Sequence, residues 1–171
     1  MIFRAETEDD YADIYEVNWQ AFERAAEGRL VNMLRVSEHY VPGLSLVAVK
    51  DGRVVGHILF TRLPIETQGG LFEALSLAPV AVLPAFQKQG IGSGLVTEGL
   101  KACKRLGFKT VVVFGHPDYY PRFGFSSARA KGLEAPFPVP NEVFMVQELV
   151  PGALDGLRGM VRLPKEFEVG M

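Results

Sequence analysis

The chain has 171 residues, a length that suits one domain, and 48% of them are hydrophobic, enough for one well-filled core. Its 18 Lys and Arg against 20 Asp and Glu leave a formal net charge of −2, without the basic excess of a nucleic-acid binder. The single cysteine, Cys103, cannot close an internal disulfide, which argues against a disulfide-stapled secreted scaffold.

The longest uncharged apolar run, residues 74–86, is broken by Pro79 and Pro84 and falls short of the roughly 20 residues of a spanning helix. The N-terminal residues turn acidic at Glu6 and lack the charged start and apolar stretch of a signal peptide. A cytoplasmic protein without nucleic-acid or membrane partners is therefore expected. Repeats are absent, and the proline-rich stretch 136–140 is the one linker-like segment.

Residues 2–5 read as a first strand. Thr7 followed by Asp10 has the form of a capping box, and Glu8, Asp9 and Asp10 complement the dipole of the helix they open; cation binding by this acidic cluster is the alternative. Tyr11, Ile14, Val17, Ala21, Phe22 and Ala25 recur at helical spacing and predict a helix to about Ala26; Leu30, Val31 and Leu34 predict a second, short one. Residues 44–49, a tight turn at Asp51-Gly52, and residues 53–61 form a predicted hairpin. Gln68-Gly69-Gly70 turns into a long third strand over 71–83, so three antiparallel strands are expected in succession. Pro79 cannot donate to a ladder, which places a bulge or a departure from the neighbouring strand there.

Residues 90–106 predict a helix with Ile91, Leu95, Leu100, Cys103 and Leu106 on one face and Gly107 as its stop. Residues 109–114 read as a buried parallel strand and 143–149 as one further strand. Helices, a meander and a crossover together make a mixed α/β (α+β) fold.

Between the long strand and the central helix lies Gln87-Lys88-Gln89-Gly90-Ile91-Gly92-Ser93-Gly94. Glycines there let backbone N–H groups approach an anion closely, and the helix N-terminus adds partial positive charge. A ligand-free glycine turn is the plain alternative. A P-loop is excluded because Lys88 precedes the glycines, and the dinucleotide fingerprint fails because Leu95 stands where its third glycine belongs.

Gln-x-x-Gly-x-Gly after a strand and at a helix start, with Val80-Ala81-Val82 upstream, resembles the acetyl-CoA motif of the GNAT superfamily of N-acetyltransferases. Tyr120-Pro121-Arg122-Phe123-Gly124-Phe125 has that family's Tyr-x-x-x-Gly-Phe spacing, and the run from Gly115 to Phe125 is similar to the YhbS-like branch, as are Phe22-Glu23, Leu30-Val31 and Leu34-Arg35. The resemblance covers residues 2–150 and implies one domain over 1–171, with 151–171 as a C-terminal extension. It also implies helices on both faces of a mixed sheet, and two parallel strands that splay to admit the donor.

The resemblance further implies that backbone groups of Val80, Ala81 and Val82 bond the pantetheine amides. Lys88, Gln89, Gly90, Ile91, Gly92 and Ser93 match the pyrophosphate loop, and Gln87 stands at the family's Gln-or-Arg position. Pro79 marks the bulge that aims a backbone N–H at the thioester oxygen, a donor whose loss typically costs on the order of 3 kcal/mol. The resemblance implies transfer by direct attack of an amine on acetyl-CoA, without metal or acyl-enzyme. Cys103, on the apolar helix face, is accordingly expected to be inert packing.

Tyr120 matches the general acid that protonates the leaving thiolate; Tyr119, Phe123 and Phe125 are expected to pack, and Arg122 to enter a surface ion pair. The family's usual base position falls near Ser76, so His116 and Glu73 are the candidates for removing the amine proton, with Glu23, water or no dedicated base remaining open. Glu73 should lie on the opposite pleat face from Ser76. His57 is expected to be structural and His39 a loop residue. A non-catalytic acyl-CoA-binding or sensing module is the competing reading, and a monomer and a homodimer are both compatible with the sequence.

Overall fold

The computed structural model describes residues 1–170. It forms two compact units, one from residues 1–61, 78–102 and the C-terminal stretch from 165, the other from 62–77 and 103–164. The sheet is mostly antiparallel, its parallel pairs lie in the second unit, and three α-helices lie among the described residues.

In the first unit β1 (Ile2–Ala5) pairs antiparallel with β2 (Tyr40–Lys50), and β2 with β3 (Arg53–Thr67). The Asp51-Gly52 turn between them has both residues left-handed, at φ 51° and 76°, the geometry of a two-residue hairpin whose twist matches its strands. Strand β2 starts earlier than expected, at Tyr40, because Tyr40 pairs with Thr61 across a register break that absorbs Pro42-Gly43.

The expected capping box is present: the Thr7 N–H donates to Asp10 Oδ2 at 2.7 Å. Arg4 holds the same carboxylate through two bonds of 2.7 and 3.0 Å, which, with the Thr7 amide, bring Asp10 down to about 2. Helix α1 (Tyr11–Phe22) stops short of the expected Ala26 because Glu23 turns left-handed, at φ 56°; Ala25 and Ala26 instead begin α2 (Ala26–Arg35).

Helix α3 (Ile91–Arg105) and α1 lie on opposite faces of β3. A Cβ on Gly56 would meet Leu95 and Ile91 of α3 at 3.0 and 3.2 Å, and Gly99 lies directly against the Phe60 ring. The intervening residue His57 points the other way and reaches Asn18 of α1 at 3.3 Å, as strand alternation requires. Gly94 packs on Phe3 of β1, so this glycine of the loop motif serves helix packing rather than ligand approach. The C-terminal turn at Lys165–Gly170 packs on α2, near His39, which stands between α2 and β2 with Nε2 3.9 Å from Glu166.

In the second unit β4 (Gly70–Val82) pairs parallel with β5 (Thr110–Phe114) at two positions, Leu75 with Val111 and Ser76 with Val112. The other side of β5 carries β8 (Phe144–Glu148), antiparallel, with β6 (Ser126–Ser127) beyond it. Strand β3 runs on to Thr67, past the expected end, because β9 (Gly159–Val161) pairs with it there; β7 (Leu133–Glu134) lies parallel to β9. Leu63, Val112, Phe144, Val146, Leu154 and Val161 anchor the core of this unit.

The proline-rich stretch is no linker: Phe137 sits 5.4 Å from Phe114, which stacks on Phe144 at 4.9 Å, and Val139 packs on the same cluster. Cys103 is fully buried, and burial pushes its thiol up to about 12. Among the described residues no helix is long and apolar enough to cross a membrane.

Candidate functional site

The residues expected to hold an anionic donor all fall in the first unit. Strand β4 ends at Val82, and the next residue, Leu83, donates its N–H to Val55 of β3 at 2.9 Å, so the strand's exit is fixed to the sheet. A short turn at Pro84–Phe86 leads into the loop. Lys88 and Gly90 are both left-handed, at φ 63° and 82°. A non-glycine residue in that region is strained, and such strain persists where the surrounding structure holds it.

The first bond of α3 runs from the Gly94 N–H to the Gly90 carbonyl at 2.9 Å. The Ile91 and Gly92 N–H groups therefore lie outside the helix ladder at the positive end of its dipole. Ile91 itself is buried and anchors the helix on Gly56.

Two side chains shape this loop from within. Gln87 donates from Nε2 to the Val82 carbonyl at 3.0 Å, so that carbonyl, expected to face a ligand amide, already has an internal partner. Gln89 Nε2 reaches the Ala85 carbonyl, and its Oε1 accepts from Lys50 Nζ, both at 3.4 Å. Lys50 and Arg53, which face each other across the β2–β3 hairpin, both stand over the Phe86 ring, at 5.6 and 5.7 Å from its centroid. Sequence reading passed over these three residues; the signal was the spacing of two cations around Asp51-Gly52, which makes them a cross-strand pair.

A buried polar network in the same unit was also not foreseen. Glu6 accepts from Arg35 Nε and Nη2 at 2.8 and 3.0 Å, from the Tyr40 hydroxyl at 2.8 Å and from Ser45 Oγ. Burial pushes the Glu6 carboxyl up, but these donors outweigh it and hold it below the ordinary range. With Ser45 donating to Glu6, its oxygen accepts from His57 Nε2 at 2.9 Å, so Nδ1 is the acceptor for Asn18 Nδ2 at 3.3 Å. His57 is thereby a neutral, fully enclosed imidazole, lowered to about 3 chiefly by burial, in keeping with the structural role expected of it. Of the acidic residues that start the chain, Glu6 and Asp10 are paired with Arg35 and Arg4, and no group of three or more metal-ligating side chains occurs among the described residues.

The catalytic candidates fall in the second unit. Tyr120 opens a short helical turn, Tyr120–Phe123, ended by Gly124 at φ 101°. It is buried, edge-on to Tyr119 and Phe125 at 5.1 and 5.7 Å, and Gly115 lies so close that any side chain there would collide with its ring. Burial, with the neighbouring Tyr119, pushes the Tyr120 phenol up to about 12. The expected packing of Tyr119, Phe123 and Phe125 is present, whereas Arg122 forms no ion pair among the described residues and stands 4.8 Å over the Tyr119 ring.

His116 follows β5 on an exposed turn, its carbonyl accepting from the Tyr119 and Tyr120 N–H groups at 3.1 and 3.4 Å. One turn of backbone thus joins His116 to Tyr120. Glu73 is exposed and engaged by Arg62 at 3.1 Å, while Ser76, on the opposite face of β4, is buried.

Residues 3–128 match the model of the acetyltransferase (GNAT) domain. The chain is 38% identical over 172 aligned positions to the uncharacterised N-acetyltransferase YjhQ of Escherichia coli K12, covering 98% of this chain and 94% of that protein. It is 35% identical to the uncharacterised N-acetyltransferase YhbS of the same strain, covering 98% of each. A crystal structure of E. coli YhbS in complex with CoA superposes with a TM-score of 0.89 over 98% of this chain and 91% of that one, at 33% identity. A Brucella melitensis GNAT acetyltransferase in complex with acetyl-CoA superposes with a TM-score of 0.78, covering 97% of each chain at 33% identity.

Proposed function

Because the chain belongs to the GNAT acetyltransferase family, we propose that it transfers the acetyl group of acetyl-CoA to a primary amine by direct attack within a ternary complex. The observation that carries this reading is the loop at 87–93: a left-handed turn at Lys88 and Gly90 delivering the N–H groups of Ile91 and Gly92 at a helix N-terminus. Such a turn matches the oxygens of a pyrophosphate. Backbone groups of Val80 and Ala81 are the proposed partners of the pantetheine, with the Val82 N–H in place of its occupied carbonyl.

In the reaction the amine nitrogen attacks the thioester carbon, the C–S bond breaks, and the acyl–nitrogen bond remains as the amide. Tyr120 donates its phenol proton to the departing sulfur. Burial keeps the phenol neutral throughout the physiological range, so the proton is present to be donated. His116 accepts the proton that the amine loses. It is preferred to Glu73 because His116 makes no side-chain hydrogen bond among the described residues, whereas Glu73 is already paired with Arg62.

Calorimetric titration of acetyl-CoA into the wild type and into Gly92→Trp tests the donor site. Binding by the wild type, lost in a variant with unchanged circular dichroism, is the expected result; a folded wild type that binds nothing removes the reading. Turnover across a panel of amines, followed as CoA release, then separates an enzyme from a binding module.

A further inference from the structure

We propose that Lys50 and Arg53, set around Phe86, form the site for the ribose 3′-phosphate of acetyl-CoA; this rests on the donor reading above. Among the described residues, eight lysines and arginines stand in ion pairs with carboxylates. Lys50, Arg53 and Lys88 have no such partner among the described residues, and all three border the same loop. Asp51, at the hairpin tip between the first two, closes no ion pair with either.

The two hairpin cations converge on one aromatic ring, at 5.6 and 5.7 Å from its centroid. The negative face of a ring attracts one cation. Two cations sharing it without a counter-ion repel each other, and an anion between them removes that repulsion. Lys50 is half-buried and tied to Gln89, so its ammonium is held at the rim of the loop rather than sweeping through solvent.

The chemistry selects a phosphate monoester. Such a group carries about −1.5 to −2 charges at neutral pH and three terminal oxygens, more than a pyrophosphate linkage offers at either phosphorus. A guanidinium takes two of those oxygens through its planar fork, and an ammonium takes the third as a point charge. In acetyl-CoA the 3′-phosphate and the pyrophosphate sit on the same ribose, so a donor seated on the loop brings its monoester to the loop's border. The basic stretch at the end of α3 is the competing location. There Lys101 is already engaged by Glu98 at 3.5 Å, which leaves Lys104 and Arg105 as the comparison pair.

The test compares acetyl-CoA with 3′-dephospho-acetyl-CoA by calorimetry in the wild type, in Lys50→Gln/Arg53→Gln and in Lys104→Gln/Arg105→Gln. The wild type should prefer the phosphorylated donor by about tenfold or more, as expected for two charge-assisted contacts at a partly exposed site. The hairpin variant should lose that preference while binding the dephospho form within about twofold of wild type, and the α3 variant should keep it. Equal binding of both donors by the wild type, or a preference abolished only by the α3 variant, overturns this assignment and leaves the donor reading standing. Binding of neither donor by the folded wild type removes both. Because Lys50 and Arg53 end a hairpin, Lys50→Glu/Arg53→Glu, checked for an unchanged melting temperature, gives a second reading: it should favour the dephospho donor.

Discussion

Tyr120 is held in its neutral form by apolar neighbours and by a second phenol, and the phenol of about 12 fixes what its replacement should do. Tyr120→Phe keeps the ring in its packing and removes only the proton. The expected result is a fall in kcat of about a hundredfold, the lower range for a lost general acid, with acetyl-CoA affinity within about twofold. A variant with unchanged kcat would assign Tyr120 to packing alone. The same reasoning applied to His57 predicts a pH effect on stability. Its folded value near 3 lies below the ordinary 6.5, so the unfolded chain binds a proton that the folded one refuses. The stabilisation is complete above pH 6.5 and lost as pH falls toward 3, amounting to roughly 2 kcal/mol by pH 5. Denaturant unfolding at pH 7 and pH 5 should show that drop in the wild type and a smaller one in His57→Asn; parallel losses would mean that His57 is already protonated in the fold. His57 was legible as structural from its place inside a strand. Its partners were not, because Asn18 comes from α1 and Ser45 from β2, and Glu6, which Ser45 also bonds, lies between β1 and α1, with no local pattern among them.

Among the elements, α3 shows how a glycine-rich helix is fitted to a sheet. Gly99 lies on Phe60, which is fully buried and cannot retreat. Gly99→Ala gains about 1 kcal/mol of helix propensity but drives a methyl into that ring, so the net effect should be a loss of about 1–3 kcal/mol, read as a lowered urea midpoint. A neutral or stabilising outcome would show that the helix shifts to admit the methyl. The sequence marked this helix at both ends, and it marked the hairpin at Asp51-Gly52, because periodicity and turn chemistry are local. Local signals failed where pairing was distant or a periodic pattern ran across a break. Strand β3 continues beyond Thr61 because Val161 pairs with Ile65, and α1 ends at Phe22 although Ala25 and Ala26 extend its spacing into α2. The turn at 87–93 into the helix was legible from its glycines, whereas the cations beside it arrive from a hairpin that no motif links to it.

For the molecule as a whole, residues 151–164 complete the second unit rather than trailing from it. Leu154 and Val161 enter its core, and Arg162 donates its N–H to the Pro64 carbonyl at 2.9 Å. Ending the chain at Val150 strips both side chains and uncovers the β3 edge, which should cost about 3 kcal/mol or more and favour aggregation. A truncated protein with an unchanged melting temperature would show the extension to be dispensable. No sequence pattern marked this tail as part of the sheet, since its partner strand lies almost a hundred residues earlier.

The enclosure of Cys103 has a practical corollary. The proposed transfer from acetyl-CoA liberates the CoA thiol, and an aromatic disulfide reagent that colours on reaction with thiols is a direct way to count it. The protein's own sulfur, with its thiol near 12 and no exposure, contributes almost no thiolate to that reagent while the chain is folded. Colour should therefore rise from zero in step with turnover at any enzyme concentration, and one extra equivalent per chain should appear only after denaturation. The same reading thus reports catalysis and, as the rise on denaturing a parallel sample, the amount of protein that was folded when the assay began.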